Sequence, residues 1–170
     1  AIIAVATSAV REAPNGREFL YRIKNELNLD VDLISGQEEA RRIYLGVLSG
    51  MEFNNQPHII IDIGGGSTEI ILGDSDDERC LSSTKVGAVR LTSELITTDP
   101  INDQEYNYLR AYAKGMLERA TEEILSNIKF GEKARLVGTS GTIETLANIH
   151  AKETLDAIPS TLNGYSFSLK

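Results

Sequence analysis

The 170-residue chain has one cysteine, two histidines and no tryptophan. With Cys80 as its single thiol the chain cannot form an internal disulfide, which suits a reducing compartment such as the cytoplasm. One cysteine and two scattered histidines also exclude the usual Cys/His zinc sites. No apolar run approaches the roughly 20 residues that cross a bilayer, and no charged region precedes the first apolar segment. We therefore expect a cytoplasmic protein without a membrane partner.

An excess of positive charge is also lacking, because 17 Lys and Arg face 25 Asp and Glu, giving a formal net charge of −8. This balance argues against a nucleic-acid partner. A hydrophobic content of 41% is ordinary for a globular protein. If the ligand is a phosphate polyanion, its attraction must come from local backbone N–H groups, a few arginines and a metal ion.

The most informative motif is the segment Asp62-Ile-Gly-Gly-Gly-Ser-Thr-Glu69, which has apolar strand-forming residues on both sides. A dinucleotide-binding loop or a Walker A loop lies between a strand and a helix, so this order of strand, glycines and strand excludes both. Three glycines, Gly64, Gly65 and Gly66, permit a tight turn with positive φ and leave backbone N–H groups open to a phosphate. The alternative is a plain hairpin turn.

Two polar side chains flank these glycines. Asp62 supplies a hard carboxylate of the kind that Mg²⁺ prefers, and the Ser67 hydroxyl can bond a phosphate oxygen. The motif therefore predicts a site for phosphate and a divalent cation.

Strand and helix patterns alternate before this motif, which indicates parallel βαβ units and an α/β fold. The polar break before Pro57 predicts a domain boundary, with one unit at residues 1–57 and a second at residues 58–170. The predicted strands span residues 1–6, 31–34, 58–62, 68–72, 79–86 and 134–137. The predicted helices are a short one that carries Arg11 and longer ones at residues 17–27, 37–49, 102–128 and after residue 142.

A second glycine segment, Gly138-Thr-Ser-Gly-Thr142, is followed by a helical pattern. Amides of the first helical turn and the helix dipole would favour an anion there, so Gly138, Ser140, Gly141 and Thr142 are candidate phosphate ligands. The alternative is a tight connection in which Ser140 or Thr142 only caps the helix.

The acidic pair Glu38-Glu39 is separated by helix geometry. Ser35-x-x-Glu38 fits a capping box, and Glu38 stands four residues before Arg42, so a structural role accounts for it. Glu39 adjoins the apolar stripe of the same helix, and a partly desolvated carboxylate at a domain boundary is a candidate general base. The alternative is a solvated glutamate without a catalytic role. Arg11 follows the first strand and could clamp phosphate, or could be a surface residue that balances nearby glutamates.

Four segments, taken in order and spacing, closely resemble the exopolyphosphatase / guanosine pentaphosphate phosphohydrolase (Ppx/GppA) family of the actin-like ATPase superfamily: Ala6-Thr-Ser-Ala-Val-Arg11, Ile34-Ser-Gly-Gln-Glu-Glu-Ala40, Ile61 to Glu69, and Gly138 to Ile143. The resemblance implies two RNase H-like domains with the active site between them, Mg²⁺ dependence, and hydrolysis of terminal phosphate from polyphosphate or pppGpp. It implies that Glu39 activates water, that Asp62 and Glu69 serve the metal site, and that Arg11 faces the cleft.

The resemblance also implies that parts of both domains are missing, because family members carry an N-terminal Asp-x-Gly-Ser-type hairpin that nothing before Ala1 supplies. We expect such a fragment to be almost silent in catalysis and to self-associate through its apolar first strand as a homo-oligomer. An actin-like ATPase or sugar kinase is the alternative enzyme class. A non-catalytic module that binds phosphate or an alarmone such as guanosine penta- or tetraphosphate is the alternative without catalysis.

Overall fold

The computed structural model describes residues 2–155 and 159–168. Six strands and six helices occur in these ranges. The strands are β1 (Ala4–Ala6), β2 (Val31–Leu33), β3 (His58–Ile63), β4 (Thr68–Gly73), β5 (Glu78–Thr84) and β6 (Arg135–Thr139). The helices are α1 (Ser8–Glu12), α2 (Gly16–Leu27), α3 (Gly36–Gly50), α4 (Ala88–Leu95), α5 (Asp103–Ser126) and α6 (Ser140–Thr154).

The strands form two sheets. In the smaller one, β1 and β2 pair in parallel, with Ala6 opposite Leu33. The larger sheet has the order β5-β4-β3-β6, in which β3 is antiparallel to β4 and parallel to β6. Because β3 and β6 run the same way, their carboxyl ends meet at one edge of the sheet, where ligands bind in open α/β sheets.

The two faces of the larger sheet are covered by different helices, as the alternation of side chains along a strand requires. On one face Ile60 and Ile71 pack with Ala40 and Tyr44 of α3. On the other face the buried side chains of β4 and β5 pack against α5, in a cluster of Ile70, Leu72, Cys80, Ala120 and Ile124. Each face thus has a continuous apolar core.

Helix α3 begins where the sequence places it, because the Ser35 hydroxyl accepts a hydrogen bond from the Glu38 amide at 3.1 Å. Its buried Tyr44 reaches across the sheet and donates to the Asp74 carbonyl at 2.7 Å. Residues before Pro57 thus pack on the sheet formed after it. The division into units 1–57 and 58–170 stays a prediction.

Several predicted elements differ from the structure at their ends. Within the described residues the first strand is Ala4–Ala6, and Ala1 lies outside them. That strand is paired with β2 on one side, and among the described residues no strand pairs with its other side. β5 ends at Thr84. Helix α4 was not predicted from the sequence, since no side chain caps it and its first amide instead binds the Gly64 carbonyl.

Candidate active site

Three polar residues lie side by side at the carboxyl end of β3, on the face of the sheet that α3 covers. Asp62 is opposite Glu69 in the β3–β4 register, and Glu69 is opposite Ser83 in the β4–β5 register. Directly opposed residues in antiparallel strands point to the same side. The row Asp62, Glu69 and Ser83 therefore continues the apolar layer of Ile60 and Ile71 toward the N-terminus of α3.

Glu69 is the most buried charged residue of this row, with 1% of its surface exposed. The Ser83 hydroxyl donates to its Oε1 at 2.7 Å. Burial raises the pKa of the Glu69 carboxyl above its ordinary range, the Ser83 and Ser67 hydroxyls offset part of the rise, and the charges of Glu39 and Asp62 add to it. A nearby cation would stabilise the ionised form of a carboxylate in this position.

Asp62 shares this environment. Burial raises the pKa of its carboxyl, the Glu39 charge raises it further, and the Ser140 hydroxyl lowers it. The negative charges of Glu39, Asp62 and Glu69 therefore repel one another, although the three residues come from three different elements, α3, β3 and β4. Like charges at close range destabilise one another, so the arrangement is suited to binding positive charge.

Arg11 from α1 is the cation that Glu39 faces. Its Nη1 and Nη2 atoms both lie 3.4 Å from Glu39 Oε2, and Nη1 also donates to the Ile34 carbonyl at 2.8 Å. Arg11 Nε lies 3.9 Å from a carboxylate oxygen of Glu12, which in turn pairs with Lys85. A chain of alternating charges thus links α1 to the base of α3 and to the loop after β5.

The glycine hairpin between β3 and β4 is closed by a hydrogen bond from the Gly64 amide to the Ser67 carbonyl at 2.9 Å. Its carbonyls face α4: Gly64 accepts from the Ala88 amide, Gly65 from the Arg90 amide, and Gly66 from Arg90 Nε, each at 2.9 Å. Arg90 therefore holds the hairpin in place. Among the described residues, no protein group accepts a hydrogen bond from the amides of Gly65 and Gly66.

The predicted positive φ angles of this hairpin are wrong, because none of Gly64, Gly65 and Gly66 lies in the left-handed region. Close approach explains the need for glycine instead. A Cβ on Gly66 would lie 2.5 Å from the Ser8 hydroxyl, and one on Gly65 would lie 3.3 Å from a methyl group of Val89. The hairpin is thus packed between the first turn of α1 and α4.

The second glycine segment is a direct passage from strand to helix. Gly138 and Thr139 belong to β6, and α6 starts at Ser140, so the predicted loop is wrong. Thr139 occupies the N-cap position without a side-chain hydrogen bond, which corrects the alternative that Ser140 or Thr142 caps the helix. Gly138 is glycine because a Cβ would lie 2.5 Å from the Ile143 side chain.

The amino end of α6 nevertheless lies at the candidate site. The Ser140 hydroxyl donates to the Ile63 carbonyl at 2.9 Å, and Thr139 is opposite Asp62 in the parallel register. Ser140 has a φ of 83°, a strained conformation for a residue with a side chain, which turns the chain sharply into the helix. Gly141 and Thr142 lie in the first turn of α6, so its free amides are presented at the same edge as the hairpin.

Two clefts border the Arg11–Glu39 pair. One, of about 350 Å³, is lined by Thr7, Glu39, Arg42 and Asp62 and by three apolar residues, Val5, Ile34 and Ile43. The other, of about 570 Å³, is lined by Arg11, Ser67, Ser83, Lys85 and Arg119 among others. The sequence indicated most of this site, but it did not single out Ser83, whose only local signal is the polar run at the end of a strand.

No cluster of three or more His, Cys, Asp or Glu able to hold a metal ion occurs in residues 2–155 and 159–168. Mg²⁺ is commonly bound through one or two carboxylates, with substrate phosphates and water completing its shell. Asp62 and Glu69 supply that number of carboxylates, and the β3–β4 register places them directly opposite each other. The residues present fit such a group.

A sequence model of the Ppx/GppA phosphatase family matches residues 1–164. The chain belongs to this family. Ppx/GppA phosphatases are in general metal-dependent hydrolases. A solved member, an exopolyphosphatase from Cytophaga hutchinsonii, superposes with a TM-score of 0.80 at 31% identity, over 92% of this chain and 49% of that one. The Aquifex aeolicus Ppx/GppA family member gives 0.67 at 32% identity, over 91% and 47%. The predicted α/β, RNase H-like fold class is thereby confirmed.

Two of the curated relatives have different names. A guanosine-5'-triphosphate,3'-diphosphate pyrophosphatase from Aeromonas hydrophila is 33% identical over 85% of this chain and 28% of its own length. Exopolyphosphatase 1 from Mycobacterium leprae is 32% identical over 87% of this chain and 43% of its own length. The chain thus spans less than half the length of these relatives.

Across the described parts of the chain, no helix combines the length and the apolar character that crossing a bilayer requires.

Proposed function

We propose that the protein carrying this chain hydrolyses terminal phosphoanhydride bonds of inorganic polyphosphate or of pppGpp. The observation that carries the proposal is that Glu39 and Asp62 line the same cleft, next to the glycine hairpin, where no described protein group accepts a hydrogen bond from the amides of Gly65 and Gly66. Phosphoryl transfer to water needs a base, donors that bind the phosphate oxygens, and carboxylates that can hold a cation. The hairpin amides are such donors, and we call them the anion cradle.

In this proposal Glu39 accepts the proton of the attacking water. The hairpin amides and the first turn of α6 donate hydrogen bonds to phosphate oxygens, with Ser67 and Ser140 adjoining them. Fixed donors of this kind stabilise the charge that spreads over the equatorial oxygens in the transition state.

Asp62 and Glu69 would hold Mg²⁺, which would supply charge neutralisation at the phosphate oxygens. The relatives' general metal dependence supports this assignment, and so does the burial of two adjacent carboxylates. The chain itself contributes their placement: β3 and β4 fix the two side chains on one face of the sheet.

Two anionic groups can bind Arg11 in this proposal: the Glu39 carboxylate and a substrate phosphate. Without substrate it faces Glu39, at distances of 3.4 Å that are long for charge-assisted hydrogen bonds. A phosphate entering the site would offer shorter, bidentate bonds to the same guanidinium. Arg11 would then hold the substrate and leave Glu39 free to act on water.

The relatives' names support both substrates, since one kind acts on a guanosine pentaphosphate and the other on polyphosphate. The cytoplasmic location, the lack of a nucleic-acid partner and the homo-oligomeric state stay predictions.

Phosphate release by the full-length protein tests the proposal, with polyphosphate and with pppGpp, in Mg²⁺ and in excess EDTA. We expect Mg²⁺-dependent release from at least one substrate. No release from either would overturn the proposed activity. Tight binding without release would favour the phosphate-binding module, and ATP-dependent phosphorylation of a sugar would favour the kinase class.

A further inference from the structure

Ser83 occupies a position that no catalytic motif covers. It lies on β5, the edge strand of the larger sheet, directly opposite Glu69. Its hydroxyl donates to Glu69 Oε1 at 2.7 Å, a short bond typical of a hydroxyl and a charged acceptor. The Ser67 hydroxyl also lowers the pKa of this carboxyl, so serines of the hairpin and of β5 both act on it. Of these two, Ser83 is the one whose hydrogen bond fixes Oε1.

The Ser83 hydroxyl is itself held in place by the start of α3. A Cβ on Gly36 would lie 2.4 Å from Ser83 Oγ and 2.6 Å from Ser83 Cβ, so the helix backbone closes over this side chain. Gly36 does not need positive φ, and glycine is a poor helix former. The close contact with Ser83 is therefore the physical reason for a glycine at this position.

We propose that Ser83 is a positioning residue for the divalent cation, which orients the Glu69 carboxylate so that Oε2 faces the metal and phosphate site. The terminal torsion of a glutamate is broad, so a carboxylate without such a donor samples many orientations. Residues that orient metal ligands in this way contribute about 10- to 100-fold to metal affinity or activity. This inference rests on the proposed function, because it assigns Glu69 to the metal site.

The test uses Ser83→Ala and the matched control Ser82→Ala in the full-length protein. Ser82 is the neighbour on the same strand, but it is opposite Ile70 and so points to the α5 face. The first readout is calorimetric titration with Mn²⁺ or Mg²⁺ in the absence of substrate. We expect the cation dissociation constant to rise about 10- to 100-fold in Ser83→Ala and to stay within about twofold in Ser82→Ala.

The second readout is the Mg²⁺ dependence of phosphate release. In Ser83→Ala the half-saturating Mg²⁺ concentration should rise by a similar factor, and most of kcat should return at saturating Mg²⁺. A structural role would instead lower the thermal midpoint and leave the metal dependence unchanged, which would overturn the proposal.

Gly36→Ala provides an independent variant. Alanine favours the helix, so α3 should persist, but its Cβ displaces the Ser83 hydroxyl and should weaken cation binding as Ser83→Ala does. The double variant should be little worse than either single one, because both remove the same interaction. Full additivity, unchanged cation binding in both single variants, or no cation binding by the wild type would each overturn the proposal.

The cation titration also separates this proposal from the proposed function. A wild type that binds the cation in a Ser83-dependent way but releases no phosphate refutes the activity and leaves the role of Ser83 intact.

Discussion

Replacing Glu39 by glutamine tests the proposed base with little change in shape. The amide cannot accept the proton of the attacking water, and the loss of a positioned base costs roughly 10²- to 10⁴-fold in kcat. At about 1.4 kcal/mol for each factor of ten, this corresponds to about 2.8 to 5.6 kcal/mol in the barrier. Substrate affinity should change little, because Glu39 acts on water while other groups hold the phosphate.

The expected effect on folding is much smaller. The Glu39 and Arg11 side chains keep 17% and 23% of their surfaces exposed. The two side chains are only loosely paired, since both Arg11 Nη atoms lie 3.4 Å from Glu39 Oε2, and Arg11 keeps its bond to the Ile34 carbonyl. Removing the Glu39 charge also relieves its repulsion with Asp62 and Glu69. A loss of rate above 100-fold therefore cannot be explained by unfolding.

Glu38→Gln is the matched control, one residue away in the same helical turn. The Glu38 carboxylate binds Arg41 and Arg42 at 2.8 Å each, and these partners lower its pKa to about 2. Because its oxygens are occupied by structural partners, the rate should fall by less than about threefold. The assay is phosphate release at saturating substrate by the full-length protein, with circular dichroism to compare the folds. Equal losses in the two variants would refute the assignment of roles.

Three further predictions concern the anion cradle, the buried carboxylates and the exposed apolar residues. Gly65→Val should abolish binding of a phosphate chain in calorimetry, because a Cβ at this position would lie 3.3 Å from Val89, and a larger side chain would displace the hairpin backbone that carries the amides. Unchanged affinity would mean that the hairpin is only a turn. Folding raises the pKa of Asp62, chiefly by burial, so the native state binds more protons than the unfolded state and stability falls as the pH rises above the ordinary pKa of 3.8. Asp62→Asn should therefore raise the urea midpoint at pH 7 and remove this decline. An unchanged or lower midpoint would contradict the reasoning. Ile2 and Ile3 are 82% and 83% exposed, so the 170-residue chain should self-associate in light scattering and Ile3→Lys should reduce the association; a monomer at all concentrations would refute this.

The sequence determined the elements whose signals are local. Ser35 and Asn102 mark the starts of α3 and α5, because an N-cap acts within one helical turn, and both caps are made in the structure. The glycines between two apolar runs likewise predicted a turn between strands, since strand alternation repeats every two residues. The family, and with it the candidate residues, followed from four such local segments.

The tertiary structure decided what depends on residues distant in sequence. Helix α4 has no side-chain cap and is anchored instead by the carbonyls of the glycine hairpin. The hairpin glycines are required by Ser8 and Val89, and Gly36 is required by Ser83. The register that places Ser83 against Glu69 spans 14 residues. A sequence pattern reports the period of one element, whereas close approach and register arise only when separate elements pack against each other.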